Sequence, residues 1–360
     1  MREKNNNFLL ADTLTCGPNL SVREALARID RASPNLFQVV VNRNHEVIGS
    51  ITDGDIRRAM LAGVDLDAEV HQCMNHSPRV VTESAVKANH AIIDRSFFLP
   101  VVNSGGKLVD ILTRHRHIDG IGSALIMAGG FGKRLGERTR ELPKPLIEVA
   151  NKPILEHVLS QIEIAGISNI YIAVHYLSDQ IINYVKDRHS QARIHFIKEP
   201  EPLGTAGALS QLPAGIDAPV LLINGDVITD VDLKAFADFH LRHGYDGTVG
   251  AAPYNVDIPY GVLRHDDKGL FTGVDEKPTY QHLVAGGIYL LSSRVIGFVP
   301  RNRSIDMPEV LETAKDAGFR IGIFPVHEYW RDIGHPDDLQ SAINELPGTY
   351  VSSALKVKAE

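Results

Sequence analysis

Two cysteines and a single tryptophan in 360 residues exclude several classes of protein at the outset. Cys16 and Cys73 are too few for a disulfide framework or a four-sulfur metal site, which points to a reducing compartment. No apolar run approaches the roughly 20 residues that a bilayer crossing demands. The opening residues, MREKNNNF, have no apolar stretch and no small-residue cleavage site. A cytoplasmic location with no membrane partner is therefore expected. Positive charge is also short, since 37 Lys and Arg against 44 Asp and Glu leave a net charge of −7. Binding nucleic acid requires a broad basic face, so no nucleic-acid partner is expected, and any phosphate chemistry has to be local.

What is present is an ordinary globular composition, 44% hydrophobic and 22% charged, at a length that implies two or three domains. The first 120 residues contain a weak repeat. Residues 39–58 (VVVNRNHEVIGSITDGDIRR) line up with residues 100–119 (PVVNSGGKLVDILTRHRHID), each reading strand, turn, strand and helix start. Upstream of each lies a stretch with helical apolar spacing, Val22-Ala25-Leu26-Ile29 and Val86-His90-Ile93. Two copies of one α+β unit are implied.

This duplication resembles a pair of cystathionine-β-synthase (CBS) domains, with 1–119 as the domain. The resemblance rests on Gly49-Ser50-Ile51-Thr52-Asp53-Gly54-Asp55, which matches a Gly-x-x-Thr-x-x-Asp pattern. It implies a regulatory module that binds an adenine nucleotide through Thr52 and Asp55, which face phosphate and ribose. In the second copy Asp110 stands for the Gly and Arg116 for the Asp, so one site is expected and not two. Thr and Asp are also favoured helix caps, and a purely architectural or dimerising module is the competing reading.

From Ser123 the texture changes. Short apolar segments (SALIMA, NIYIAV, RIHFIKE, PVLLING) alternate with amphipathic ones (ILEHVLSQIEIAG, SDQIINYVKD), the pattern of βαβ units around a largely parallel sheet. The fold class is α/β, and the glycine-containing stretch 117–122 marks the domain junction.

The first strand of this region runs into Ala128-Gly129-Gly130-Phe131-Gly132-Lys133-Arg134-Leu135. Three glycines in four positions let backbone N–H groups face an anion, and two cations follow, so polyphosphate is the natural guest. It is not a Walker A loop, because Arg134 follows Lys133 where a hydroxyl would hold Mg²⁺. Nor is it the dinucleotide fingerprint, because the glycines run G-x-G-x-x-x-G from Gly130 to Gly136. Downstream, Pro143 and Pro145 bracket Lys144; they fix φ on both sides and disfavour helix at Glu141, Leu142 and Lys144.

Ala-Gly-Gly-x-Gly-x-Arg-Leu followed by Pro-Lys-Pro-Leu resembles the signature of sugar-1-phosphate nucleotidyltransferases. Further motifs follow in order. Glu201-Pro202-Leu203-Gly204-Thr205-Ala206-Gly207-Ala208 resembles the base- and ribose-side loop of the mannose-1-phosphate guanylyltransferase branch. After it come Asn224-Gly225-Asp226, Tyr260-Gly261, Glu276-Lys277-Pro278 and Trp330-Arg331-Asp332-Ile333-Gly334-His335-Pro336. The likeness implies a Rossmann-like catalytic domain at 123–348 with a mostly parallel mixed sheet. One departure occurs at Ala285-Gly286-Gly287-Ile288-Tyr289, where the family often has Asn in place of Ala285.

The resemblance implies the following division of labour. A sugar 1-phosphate attacks the α-phosphorus of a nucleoside triphosphate, GTP favoured, and pyrophosphate leaves. Asp226 and Asp332 hold Mg²⁺. Arg134 clamps the β- and γ-phosphates and Lys144 reaches the α-phosphate or the attacking phosphate. Ala128, Gly129, Gly130, Gly132, Lys133, Pro202, Gly204 and Thr205 surround the nucleotide, while Tyr260, Gly261, Glu276 and Lys277 receive the sugar phosphate. Glucosamine 1-phosphate is the first acceptor to consider, with mannose, heptose and glucose phosphates open, in a pathway to surface glycans. Cytidylyl or thymidylyl transfer is the alternative, and a non-catalytic nucleotide sensor is a third reading. Self-association is expected of both halves. His240 and His243 fit no zinc pattern and are expected on a solvated helix face.

Overall fold

The computed structural model describes residues 13–32, 36–88, 98–113, 121–190, 192–216 and 219–346. The chain divides into two compact units, Met1–His117 and Ile118–Glu360.

The first unit is built twice. Strand β1 (Thr15–Cys16), helix α1 (Val22–Arg31), β2 (Phe37–Val41), β3 (Val47–Thr52) and α2 (Asp53–Leu61) are followed by β4 (Val81–Thr82), α3 (Glu83–Ala88), β5 (Phe98–Val102) and β6 (Leu108–Thr113). Each copy holds a three-stranded sheet in which the central strand pairs parallel with the first and antiparallel with the last. Helix α1 forms because Val22, Ala25, Leu26 and Ile29 make one buried stripe and Ser21 with Glu24 closes a capping box at its start. Of the corresponding stretch in the second copy, Val86 lies in α3, while His90 and Ile93 fall outside the described residues.

The copies meet through equivalent atoms. Phe37 and Phe98 open β2 and β5, and their rings stack at 3.9 Å and 7°. The Leu108 N–H donates to the His45 carbonyl at 2.9 Å, and the Val47 N–H donates to the Gly106 carbonyl at 3.3 Å. His45 corresponds to Gly106 and Val47 to Leu108, so one bond is the other read in reverse, the mark of an internal two-fold relation.

Thr52 is the N-cap of α2. Its hydroxyl accepts from the Asp55 N–H at 3.1 Å, the Asp55 carboxylate accepts from the Thr52 N–H at 2.9 Å, and Arg58 pairs with the same carboxylate. Both residues expected at a nucleotide are thus engaged in local capping. Gly49 leaves no room for a side chain, since a Cβ there would come within 2.6 Å of Met74 Sδ. Its counterpart Asp110 sits in β6, and Arg116 falls outside the described residues.

The second unit comprises β7 (Ser123–Met127), α4 (Arg138–Glu141), β8 (Glu148–Val149), β9 (Lys152–Pro153), α5 (Ile154–Ile164), β10 (Asn169–Val174), α6 (Ser178–Asp187), β11 (Arg193–Lys198), β12 (Val220–Asn224), β13 (Val227–Thr229), α7 (Leu233–His243), β14 (Gly247–Asp257), β15 (Val262–His265), β16 (Phe271–Asp275), β17 (Thr279–Leu291), α8 (Ser293–Ile296), α9 (Met307–Asp316), β18 (Ile321–Pro325), β19 (Trp330–Asp332) and α10 (Pro336–Glu345). Seven strands form one mixed sheet in the order β11-β10-β7-β12-β17-β14-β18. The first four are parallel; β17 runs antiparallel to β12 and β14, and β18 lies parallel to β14. The α/β class follows. Strands β7 and β12 are apolar without alternation because helices cover both sheet faces.

One apolar cluster fixes the positions of the segments around the site. Leu135, Ile147, Ile154, Ile228, Ile333 and Leu339 pack together and tie the glycine turn, the start of α5, β13, the end of β19 and α10 to one another. Each such buried side chain contributes about 1.5–3 kcal/mol relative to exposure.

Two expectations are corrected. His240 is buried at 2% exposure, not solvated; its Nδ1 meets Thr248 Oγ1 at 2.8 Å, and desolvation lowers its pKa to about 4. Helix α7 has Leu233, Phe236 and Phe239 on its buried face, and His240 follows that face inward. Around Lys144 the backbone is not free of helix: α4 closes one turn at Glu141, and a 3-10 turn covers Lys144–Leu146. Pro145 is tolerated because the first turn needs no N–H from it.

Candidate active site

Strand β7 ends in the middle of the parallel half, where an open α/β sheet presents ligands at the carboxyl edge of its strands. The chain then passes through the glycine loop. Gly132 takes φ +64° and opens a 3-10 turn over Lys133–Leu135. A Cβ at Gly132 would come within 2.8 Å of Thr139 Cγ2 and 3.2 Å of Lys144 Cβ, so the loop lies directly against the lysine. A Cβ at Gly130 would meet nothing within 4 Å, which leaves that face of the loop open to a ligand. Ala128 is buried and bonds to the Ala173 carbonyl at 2.9 Å, anchoring the start of the loop to β10. Lys133 is exposed, with Nζ 5.2 Å above the Phe131 ring.

Lys144 is buried at 8% exposure and forms an ion pair with Asp226; its Nζ stands 3.9 Å from Asp332 Oδ1. Asp226 and Asp332 are separated by more than a hundred residues and are brought together by a short ladder. β13 pairs antiparallel with β19, with Val227 opposite Asp332, and the Ile333 N–H donates to the Asp226 carbonyl at 3.0 Å. Gly225 lets the chain pass the end of β7, since a Cβ there would stand 2.8 Å from the Met127 carbonyl oxygen. The Trp330 indole N–H donates to the Gly286 carbonyl at 2.8 Å and fixes β19 against β17.

Electrostatically the site is a compressed acid pair with one buried cation. Burial, then the Asp226 charge, pushes Asp332 up from 3.8 to about 6, against the pull of Lys144 and Arg134. Asp226 Oδ1, Asp332 Oδ1 and Asn224 Oδ1 are all buried without a hydrogen-bond partner. Hard, unpartnered oxygens of this kind fit Mg²⁺, which needs few protein ligands when phosphate and water complete its shell. Among the described residues no three His, Cys, Asp or Glu gather into an all-protein metal cage.

Arg134 is exposed, and its Nη1 lies 3.3 Å from His335 Nε2, at the start of α10. The loop at 202–205 is pinned from below: the Thr205 N–H and hydroxyl reach Asp306 Oδ1 at 2.9 and 3.1 Å, and the hydroxyl accepts from the Met307 N–H at 2.8 Å. Thr205 therefore holds its loop to α9, while Pro202 is exposed and Gly204 takes φ +75°. Tyr260, Gly261, Glu276 and Lys277 lie on the exposed β15–β16 hairpin and its flanks. There Gly261 rests beside Glu276, with a Cβ 3.0 Å from Oε2, and Lys277 has a left-handed backbone at φ +45°.

Three further residues stand at this edge: Asn224, which the motif contained but which was given no role, and His175 and Glu199, which no motif marked. Asn224 ends β12, and its amide nitrogen would be 2.8 Å from a Cβ at Gly287. His175 follows β10, and its Nδ1 meets the Glu199 carbonyl at 2.8 Å. Glu199 follows β11 and is buried at 7% exposure. The available signal was positional, because each stands at the carboxyl end of a parallel strand.

A glycine loop, a buried lysine and two converging carboxylates thus stand together at that edge of an α/β sheet. The Nucleotidyl transferase family model matches residues 123–348, and the chain belongs to that family. A CBS domain model matches residues 9–62. The mannose-1-phosphate guanyltransferase of Aspergillus oryzae is 34% identical over 228 residues, 61% of this chain and 62% of that protein. The one of Schizosaccharomyces pombe is 34% identical over 249 residues, 66% of each chain. The chain thus spans just under two thirds of the length of these relatives. Among solved structures, HddC from Yersinia pseudotuberculosis is 28% identical with a TM-score of 0.50, covering 62% of this chain and 99% of that one. The same protein is also known complexed with GMP-PN. Among the described residues no helix is long and apolar enough to cross a membrane.

Proposed function

We propose that the chain transfers a guanylyl group from GTP to a sugar 1-phosphate, releasing pyrophosphate and giving a nucleotide sugar. The observation that carries this is the convergence of Lys144, Asp226 and Asp332 beside the glycine loop. Guanine is supported by the names of the curated relatives and by the GMP-PN complex of HddC. Glucosamine 1-phosphate is the acceptor first suggested by domain order, and the relatives' names support mannose 1-phosphate; both are hexose 1-phosphates.

A phosphate oxygen of the sugar attacks the α-phosphorus, the new P–O bond forms, and the bond to the β-phosphate bridging oxygen breaks. The attacking oxygen is already ionised at neutral pH, so no general base is needed. Two polyanions must be held in line, and the chain's contribution is charge and alignment. Backbone N–H groups of the 129–132 loop take the phosphates, and the Lys144 ammonium faces the α-phosphate and the incoming one. The Arg134 fork holds the departing pyrophosphate, with Lys133 beside it. Lys277 takes the sugar phosphate, Glu276 accepts from sugar hydroxyls, and Tyr260 and Gly261 line that side. The oxygens of Asp226 and Asp332 would hold Mg²⁺, which supplies neutralisation of charge at the reacting phosphates.

Pyrophosphate release measured with each of four nucleoside triphosphates against mannose, glucosamine, glucose and heptose 1-phosphates tests the reading. GTP with one of these acceptors should exceed every other combination. Absence of release with all sixteen, or a preference for CTP or dTTP, would overturn it.

The first unit is proposed to bind an adenine nucleotide beside Thr52 and Asp55, as the CBS match supports. ATP or AMP should raise the melting temperature through linkage, by about 2.7 kcal/mol of stabilisation at 100 times Kd. The shift should vanish in Asp55→Asn, and equal shifts in both proteins would leave an architectural module. Self-association, cytoplasmic location and a place in surface-glycan synthesis complete the proposal. Both cysteines are free, and burial pushes their thiols up to about 11.

A further inference from the structure

Two side chains that both need an acceptor meet at the start of α10. Arg134 and His335 are 201 residues apart in the chain, yet Arg134 Nη1 stands 3.3 Å from His335 Nε2. A guanidinium has only N–H groups to offer. His335 is also the N-cap of α10, where its ring accepts from the Asp338 N–H while the Asp338 carboxylate accepts from the His335 N–H at 2.9 Å. A neutral imidazole has a single bare nitrogen. If that nitrogen caps the helix, Nε2 carries the proton and one N–H faces another. If it accepts from Arg134 instead, the Asp338 N–H loses its partner. One ring cannot serve both.

An anionic oxygen set between the two side chains removes the conflict. It accepts from Arg134 Nη1 and from His335 Nε2–H together, and Nδ1 keeps the helix cap. Both side chains are exposed, so nothing has to move aside for such a guest. The amino end of α10, a ten-residue helix, adds its partial positive charge at this place, and the Asp338 carboxylate beside it is already committed to the His335 N–H. Gly334 fixes the direction. A Cβ there would stand 3.7 Å from Asp332 Oδ1, 3.7 Å from Asp338 Oδ2 and 3.8 Å from Arg134 Nη1, so the carboxylate assigned to Mg²⁺ and the guanidinium flank the same small gap. A triphosphate with its α-phosphorus at Asp226 and Asp332 therefore presents to Arg134 and His335 the phosphates that depart.

We propose that His335 donates through Nε2–H to an oxygen of the departing pyrophosphate, which it shares with Arg134. This rests on the guanylyl-transfer reading and adds a residue to it. Negative charge gathers on the pyrophosphate as its bond to the α-phosphorus breaks. A donor whose ring is already oriented by a helix cap meets that charge without having to be ordered first. No proton changes hands; His335 contributes a hydrogen bond to the leaving group and nothing to the attacking one. Asparagine separates this role from capping, because its short side chain is a favoured N-cap and has no group where Nε2 stands.

The test is calorimetric titration of inorganic pyrophosphate, and separately of GMP, into the full chain with Mg²⁺ present. The wild type should bind pyrophosphate, and His335→Asn should weaken that binding about 10-fold. Its melting temperature should stay in place, and so should its affinity for GMP, which lacks the departing phosphates. In turnover the inhibition constant of pyrophosphate should rise, and kcat/KM for GTP fall, by about the same factor, while KM for the sugar 1-phosphate holds. His335→Ala should show the same loss together with a lower melting temperature, since the cap goes as well. Unchanged pyrophosphate affinity in His335→Asn overturns the assignment. So does a wild type that binds no pyrophosphate, or an equal weakening toward GMP, which would mark a structural role. Absence of nucleotide-sugar formation with every triphosphate overturns the guanylyl-transfer reading, whereas the titration needs no turnover and judges His335 by itself.

Discussion

Asp226 and Asp332 share one buried ammonium, that of Lys144, and the backbone of one is bonded to the chain of the other through the Ile333 N–H and the Asp226 carbonyl at 3.0 Å. The carboxylates therefore cannot move apart without breaking the β13–β19 ladder. Burial first, and then their mutual repulsion, push Asp332 up to about 6.

Replacing Asp226 with Asn changes charge and hardly changes size. Asp226→Asn should fold with a melting temperature near that of the wild type, because relief of the repulsion with Asp332 offsets the loss of the Lys144 ion pair. Its kcat should fall by about 10²–10³-fold or more. EDTA should abolish wild-type turnover and added Mg²⁺ should restore it. Wild-type rates in the variant, or full activity in EDTA, would remove the metal assignment.

Gly225→Ala tests the close passage at the end of β7. The added methyl would sit 2.8 Å from the Met127 carbonyl oxygen, a backbone atom that cannot swing aside. Destabilisation of about 1–3 kcal/mol is expected, with loss of activity beyond what stability explains, since Asp226 is the next residue. Urea unfolding together with kcat measurement checks both.

His240 gives a pH dependence of stability. Its folded pKa, about 4, lies below the unfolded 6.5, so the unfolded chain binds the extra proton between these values. Stability from this group is complete above 6.5 and is lost as pH falls toward 4. At pH 5 the loss is about 2 kcal/mol. Urea midpoints at pH 7 and pH 5 measure it, and His240→Gln should flatten the difference.

Phe98→Ala removes one ring of the stack that joins the two halves of the first unit. A loss of about 3 kcal/mol is expected. Calorimetry of the whole chain should show the transition of the first unit moving down by several degrees per kcal/mol while that of the second unit stays in place.

The parallel half of the seven-stranded sheet was legible because its strands are continuous apolar runs and its helices carry a 3.6-residue stripe; NIYIAV became β10 and SDQIINYVKD became α6 residue for residue. Lys144 and Asp226 were legible from motif chemistry. The antiparallel half was not. β14 and β17 are long, with exposed outer ends such as Tyr254 and Leu283, so no single period describes them. Helix α7 was misread at His240, because a histidine carries no mark of whether Thr248 waits opposite. Glu199 escaped notice because its burial beside the glycine loop depends on strand order, which is a property of the sheet and not of any local stretch.

The β13–β19 ladder has a consequence for biosynthesis. All seven strands of the large sheet are complete by Pro325, yet the second acidic side chain arrives only with Asp332, in the last three-residue strand. A chain ending short of this point would carry every strand of the sheet and lack one of the two carboxylates beside Lys144. The acid pair is completed only when this strand joins β13.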